Sequence, residues 1–194
     1  MISRKLLGFV LALFLGAVGV AETAAQDASK KGASGPARTG AESQPKVLGT
    51  FDQWTASELR EAGGKACYMV ARPIKSDGRY AKRGEVFVTV THRPAKKQRN
   101  EVSVKAGYPY KEGSGPSIQI GDKTFELFIR PDYDPEGAWT KDAASDKALV
   151  EAMQRGRTLL LRGMSSRSTE TTDTFSLAGF TKAYQEINKA CTAK

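Results

Sequence analysis

A mainly β fold, an antiparallel β-sandwich or open barrel with two short peripheral helices, is predicted by three observations. Several segments alternate apolar and polar residues with period two, as half-buried antiparallel strands do. No regular alternation of strand-like and helix-like segments, which would build a parallel doubly wound sheet, is present. Only residues 145–156 and 177–191 carry a helical pattern.

The strands follow in order. In "KACYMVARP" Cys67, Met69 and Ala71 share one face. "GEVFVTVTHRP" sets Val86, Val88 and Val90 against Phe87, Thr89 and Thr91, and "NEVSVKAGY" points Val102, Val104 and Ala106 away from Ser103 and Lys105. "SIQIGDKTFELFIRP" reads as a hairpin turning at Gly121-Asp122, with Phe125, Leu127 and Ile129 inward. The continuous apolar run of "RTLLLRG" predicts a more central strand. "SDKALVEAMQRG" reads as a short helix capped by Ser145 or Asp146 and stopped by Gly156 at C′. Near the end, Leu177, Phe180, Tyr184, Ile187 and Cys191 are spaced 3, 4, 3, 4, one stripe of an amphipathic helix.

The ends of the chain bound its compartment. Arg4 and Lys5 precede an apolar run over residues 6–20, and small residues offer cleavage after Ala21 or Ala25, the layout of a secretory signal peptide over residues 1–25. A retained anchor is the competing reading, but the run is shorter than the roughly 20 residues needed to cross a bilayer. No transmembrane segment is expected after cleavage. Residues 26–46, "QDASKKGASGPARTGAESQPK", contain no Val, Ile, Leu, Met or aromatic residue and read as a flexible linker. Residues 47–194 then form a single domain. Without Arg4, Lys5 and Glu22 the net charge falls only from +9 to +8, a balance that favours encounter with anionic surfaces.

Two cysteines in an exported chain are expected to pair, and Cys67 and Cys191 both point towards the core. Free thiols and a redox-active pair are the alternatives, the second opposed by the lack of C-x-x-C spacing. The expected bond pins the terminal helix to the sheet.

Chemistry-bearing motifs are few. His92, the only histidine, ends a strand, where packing or solvent exposure competes with a role in a hydrolase; no G-x-S-x-G elbow accompanies it. A multi-histidine zinc site is excluded, and no metal or other cofactor is expected. "DYDPEGAW" imitates a calcium loop, but its twelfth position is Ala143 and not glutamate, so an acidic turn is expected. "AKKQRN" places Lys96, Lys97 and Arg99, with Arg93 nearby, on a connection between strands, a candidate contact for polyanions. A merely solvated loop is the competing reading. Nucleic acid is not an expected partner, because export removes it and no aromatic platform is evident. In "RGMSSRSTETTDTFS" Thr172, Thr174 and Ser176 share a face opposite Asp173 and Phe175, making Thr172 and Thr174 a candidate polar binding face. Trp54 and Trp139 are expected in the core, Trp139 closing one end of the sheet.

An early Trp54…Cys67, a middle Ala138-Trp139, and "LVEAMQRGRTLLLRGMSSRSTETTDTFSLAGFTKAYQEINKAC" together resemble the invasion-associated locus B family of bacterial exported proteins. The likeness spans residues 51–191 and is most specific from Leu149 to Cys191. Glycine is common in that pattern where this chain has Ser168, a departure that bears on turn geometry. The resemblance implies a periplasmic or secreted protein of Gram-negative bacteria, with a family name drawn from host-cell invasion and no catalytic residues to carry over. The function expected is therefore a non-enzymatic protein that contacts a host-cell surface or its own envelope. A periplasmic binder of small ligands or glycans, using a pocket lined by Trp54 or Trp139, is the alternative, and a hydrolase using His92 a third reading.

Overall fold

The computed structural model describes residues 44–192; the signal-peptide reading of residues 1–25 and nearly all of the expected linker lie outside them. In chain order the first strands are β1 (Lys46–Phe51), β2 (Trp54–Glu61), β3 (Gly64–Ala71), β4 (Lys75–Gly78), β5 (Phe87–Arg93) and β6 (Gln98–Lys105). Then come β7 (Ser117–Ile120), β8 (Lys123–Glu126), β9 (Phe128–Arg130), β10 (Asp134–Trp139), helix α1 (Ala143–Arg155), β11 (Thr158–Met164), β12 (Glu170–Ser176) and helix α2 (Phe180–Thr192). Strand β1 takes in Lys46, the last residue of the expected linker.

All pairings are antiparallel and build two sheets, ordered β1-β2-β3-β5-β6-β10-β9 and β4-β12-β11-β7-β8. Neither sheet closes into a barrel. The alternating positions fall as their period requires: Met69, Val88, Val90, Val102 and Val104 from the first sheet are buried with Ile118, Leu159, Leu161 and Phe175 from the second, in one core. Strand β11 lies between β12 and β7, the central place that its unbroken apolar run predicts. The β7–β8 hairpin turns at Gly121 and Asp122, and Leu127, 3% exposed, marks where the chain leaves one sheet for the other. Phe125 and Ile129 pack against that core half-buried.

Both helices add their apolar faces to the same core: Leu149 and Met153 from α1, Phe180, Ala183 and Ile187 from α2. The start of α1 differs from expectation. Asp142 is the cap, its Oδ1 accepting the Ser145 N–H at 2.8 Å, so Ser145 and Asp146 lie inside the first turn. Asp146 has another use: it is 8% exposed and accepts the Val102 N–H at 2.8 Å and the Thr140 hydroxyl, which docks α1 on β6. Burial raises its pKa, against those same two bonds. Gly156 does end α1, but with φ −81° its backbone is extended and not left-handed. It is a tight fit between neighbours, since a Cβ there would lie 2.5 Å from Ile120 Cγ2.

Helix α2 begins after Gly179, whose φ is +83° and whose added Cβ would stand 2.0 Å from the Phe51 carbonyl oxygen. Beside it the fully buried Trp54 donates Nε1–H to the Ser176 carbonyl at 3.0 Å and meets Phe180 edge-on, centroids 4.9 Å apart. At its other end α2 is bonded to β3: Cys67 and Cys191 form a disulfide, S–S 2.06 Å, across a sequence separation of 124. Lys65 Nζ donates to the Ala190 carbonyl at 3.0 Å at the same end. Ser168 holds φ 61° in the β11–β12 connection, the left-handed conformation for which glycine is suited.

Candidate functional site

The "AKKQRN" segment folds as a 3₁₀ turn, Pro94–Lys96, joining β5 to β6, with Lys97 (φ 53°) closing it. Lys96 and Lys97 are exposed and take no part in the ion pairs of the described residues. Arg99 Nη2 donates to Asn188 Oδ1 of α2 at 2.6 Å. Arg93 differs from the other three. Its Nε donates to Glu61 at 3.1 Å and its Nη1 to Glu101 at 2.7 Å, so the expected surface contact is a half-buried, charge-paired strut between β2, β5 and β6. Burial lowers its pKa, but the two carboxylates outweigh that and hold it above its ordinary value.

The basic turn borders a groove of about 740 Å³ that reaches Arg130, Trp139 and Lys141. Arg130 supplies a fourth cation to it, its guanidinium carbon 4.4 Å from the Trp139 ring centroid and 5.1 Å from that of Tyr133. Arg130 too is absent from the ion pairs among the described residues. On the outer face of the seven-stranded sheet a second groove of about 880 Å³ has Thr89, Thr91 and Ser103 along it and Tyr133 and Trp139 at its side. Trp139 is half-buried and lines both grooves, whereas Trp54 lies wholly in the core.

His92 is 1% exposed, which removes the solvent-exposed reading and leaves packing at the strand end. It stands opposite Cys67 in the β3–β5 ladder, edge-on to Tyr184 at 5.8 Å, and its Nδ1 accepts the Asn100 N–H at 3.0 Å. That bond goes to backbone and not to a serine or aspartate. Its Nε2 is buried, and burial, assisted by the charge of Arg99, lowers its pKa to about 4. The expected acidic turn proves to be mostly strand: Asp134 and Glu136 belong to β10, where Lys105 Nζ lies 3.4 and 3.5 Å from their carboxylates. A cross-strand lysine lets the acids sit in a sheet.

Thr172 and Thr174 face outward on β12, half-buried, while Thr171, Asp173 and Phe175 face the core. They belong to the five-stranded sheet, between β4 and β11, and are not brought together with the basic turn. Thr172 lines a shallow groove with Lys111 and Arg162.

One polar centre was not expected. Asp173, fully buried, accepts two hydrogen bonds from Arg83, at 2.8 and 2.7 Å, and the Arg83 side chain is only 4% exposed. Arg83 Nε also donates to the Ala106 carbonyl at 2.5 Å, and its guanidinium lies 4.8 Å from the Tyr108 ring centroid and 5.3 Å from that of Tyr80. Burial lowers the Arg83 pKa, yet Asp173 more than offsets it and the value rises. The inward phase of Asp173, shared with Phe175, is the signal in the sequence for a buried carboxylate. Arg83 has none, because residues 79–85 carry no period.

Comparison with known proteins bears on the whole domain. The crystal structure of invasion associated protein b from Bartonella henselae superposes with a TM-score of 0.52 at 15% identity, covering 78% of this chain and 100% of that chain, which establishes a shared fold. No curated protein matches the sequence. The model of the "Invasion associated locus B (IalB) protein" family matches residues 54–188, from the buried Trp54 to the last turns of α2, and this chain belongs to that family.

Proposed function

We propose that this chain is an exported, non-enzymatic contact protein that engages a polyanionic component of a host-cell surface or of its own envelope through the basic turn. The carrying observation is that Lys96, Lys97 and Arg130, cations without carboxylate partners among the described residues, border one groove beside Arg99. Unpaired lysines on a turn bonded to rigid strands attract anions without first ordering the loop. The disulfide and the family fit a protein that works outside the cytoplasm, and the Bartonella henselae protein that shares the fold is named for invasion. The engagement of His92 by backbone, deep under α2, speaks for a contact role over hydrolysis.

A heparin column and a sulfated-glycan array test the reading. Lys96→Glu/Lys97→Glu is expected to weaken retention about tenfold or more at low salt, and the difference should shrink as salt screens it. Retention equal to the unmodified protein at all salt concentrations would overturn the assignment. A second reading, a glycan-binding module, is favoured by the groove in which Trp139 and Tyr133 stand beside the hydroxyls of Thr89 and Ser103. Neutral oligosaccharide binding lost in Trp139→Ala, and indifferent to Lys96 and Lys97, would select it.

A further inference from the structure

At the opposite end of the β5–β6 hairpin from the basic turn, three stretches of chain enclose a pocket of about 640 Å³. They are residues 79–84 ahead of β5, 107–109 after β6, and 165–171 at the β11–β12 connection. Strands of this length place the two regions roughly 25 Å apart, so the pocket stands independently of the contact surface above. We propose that it is a binding site for a small phosphorylated sugar, with the phosphate held by Arg79, Lys82 and Arg167.

Charge is the first argument. Of the acids near this pocket, Asp173 is held by Arg83 and Glu136 shares Lys105 with Asp134, while Glu170 has no ion-pair partner among the described residues. Arg79, Lys82 and Arg167 are exposed and have no carboxylate partner among the described residues, so the cations bordering the cavity outnumber the acids beside it. A phosphomonoester carries a charge of about −1.5 to −2 at pH 7, more than a carboxylate offers. Two of the three cations are arginines, whose planar forks bind phosphate oxygens in pairs.

Preorganisation is the second. The 79–84 stretch is fastened from beneath by the buried Arg83, which bridges Asp173 of β12 and the Ala106 carbonyl. Gly84 N–H donates to the Gly107 carbonyl at 2.8 Å, where Gly107 has φ +71°. Ser166 N–H donates to the Pro109 carbonyl at 2.8 Å, and Ser165 N–H to that of Thr169 at 2.9 Å. The three stretches are therefore bonded to one another, to β12 or to the end of β6, which lowers the ordering cost of binding.

Size and lining are the third. The volume exceeds what a lone phosphate fills and falls in the range of small-molecule sites, about 300–1,000 Å³. Tyr80, Tyr108 and Pro109 line the pocket with apolar ring surface, while Ser166 and Thr169 carry hydroxyls suited to those of a sugar.

The test is an NMR titration of the protein with glucose 6-phosphate, with glucuronate and glucose as the monoanionic and neutral comparators. Saturable shifts are expected in amides 79–84, 107–109 and 165–169, with glucose 6-phosphate binding at least about tenfold tighter than glucuronate and glucose tighter than neither. Arg167→Glu and, separately, Lys82→Ala should each weaken it, the reversal by about tenfold or more, while Lys96→Glu/Lys97→Glu leaves it within about twofold. Arg167 and Lys82 are exposed, so both variants should fold, as matching spectra away from the pocket would verify. An equal response to all three sugars, shifts that follow Lys96 and Lys97, or no saturable shift would each overturn the proposal.

Discussion

Replacing Asp173 with Asn keeps the size of a fully buried side chain and removes the charge that two Arg83 N–H groups share, at 2.8 and 2.7 Å. The amide nitrogen then confronts one of those donors. A guanidinium that is 4% exposed is left with the Ala106 carbonyl as its main acceptor. Breaking one partner of a buried ion pair costs about 3–5 kcal/mol, a large part of the roughly 5–15 kcal/mol that stabilises a domain. With about 2–4 °C per kcal/mol for a domain of this size, the melting temperature should fall by roughly 6–20 °C. Arg83→Met is expected to cost as much, because it strands the carboxylate. The double variant Arg83→Met/Asp173→Leu replaces both charges with apolar groups and should recover most of the loss. Urea unfolding followed by the fluorescence of the buried Trp54, with Asp173→Leu added as the second single variant, would supply all four corners of the cycle. If Asp173→Asn costs under about 1 kcal/mol, or the two single losses simply add in the double variant, the pair is not the clamp described here.

Three further outcomes are expected. Reducing the Cys67–Cys191 bond frees a loop closed over a separation of 124 residues and should lower stability by up to about 5 kcal/mol in the chain-entropy description, read as a drop in urea midpoint with reductant; an unchanged midpoint with both thiols verified free would count against it. The folded His92 titrates near 4 and the unfolded near 6.5, so the native state binds fewer protons between those values: the stability is whole above about 6.5 and is lost as pH falls through 4, by about 3 kcal/mol, a slope that His92→Phe should remove. Gly179→Ala forces a Cβ against the Phe51 carbonyl at positive φ and should destabilise by at least about 2 kcal/mol in the same unfolding assay, whereas Gly121→Ala, at φ +60° with open space around it, should cost clearly less.

The strands legible in the sequence are those with one face buried. Val86, Val88 and Val90, or Val102 and Val104, announce themselves because burial acts on every second residue. Strand β4 has no such signature: all four of its residues are exposed, and only pairing with β12 makes it a strand. The cap of α1 was misplaced because Asp142, Ser145 and Asp146 are all suited to capping. What separates them is that Asp146 is drawn inward by the Val102 N–H of β6, a contact 44 residues distant. The same limit applied at the candidate sites. The basic turn was readable as a local cluster, but the acids that occupy Arg93 come from β2 and β6. The Arg83 pocket joins segments about 80 residues apart and left only the inward phase of Asp173 as a trace.

The fastening of α2 to β3 also governs how the domain would bear traction. Pulled from its two ends, the chain can lengthen only by the residues ahead of Cys67 and the few beyond Cys191, so β1 and β2 would peel away and the extension would stop there. Over residues 46–66 that yields roughly 70 Å of slack, where residues 46–192 without the bridge would pay out roughly 500 Å. A molecule pulled between its two termini would thus keep its basic turn and its pocket, both inside the bridged loop, in shape.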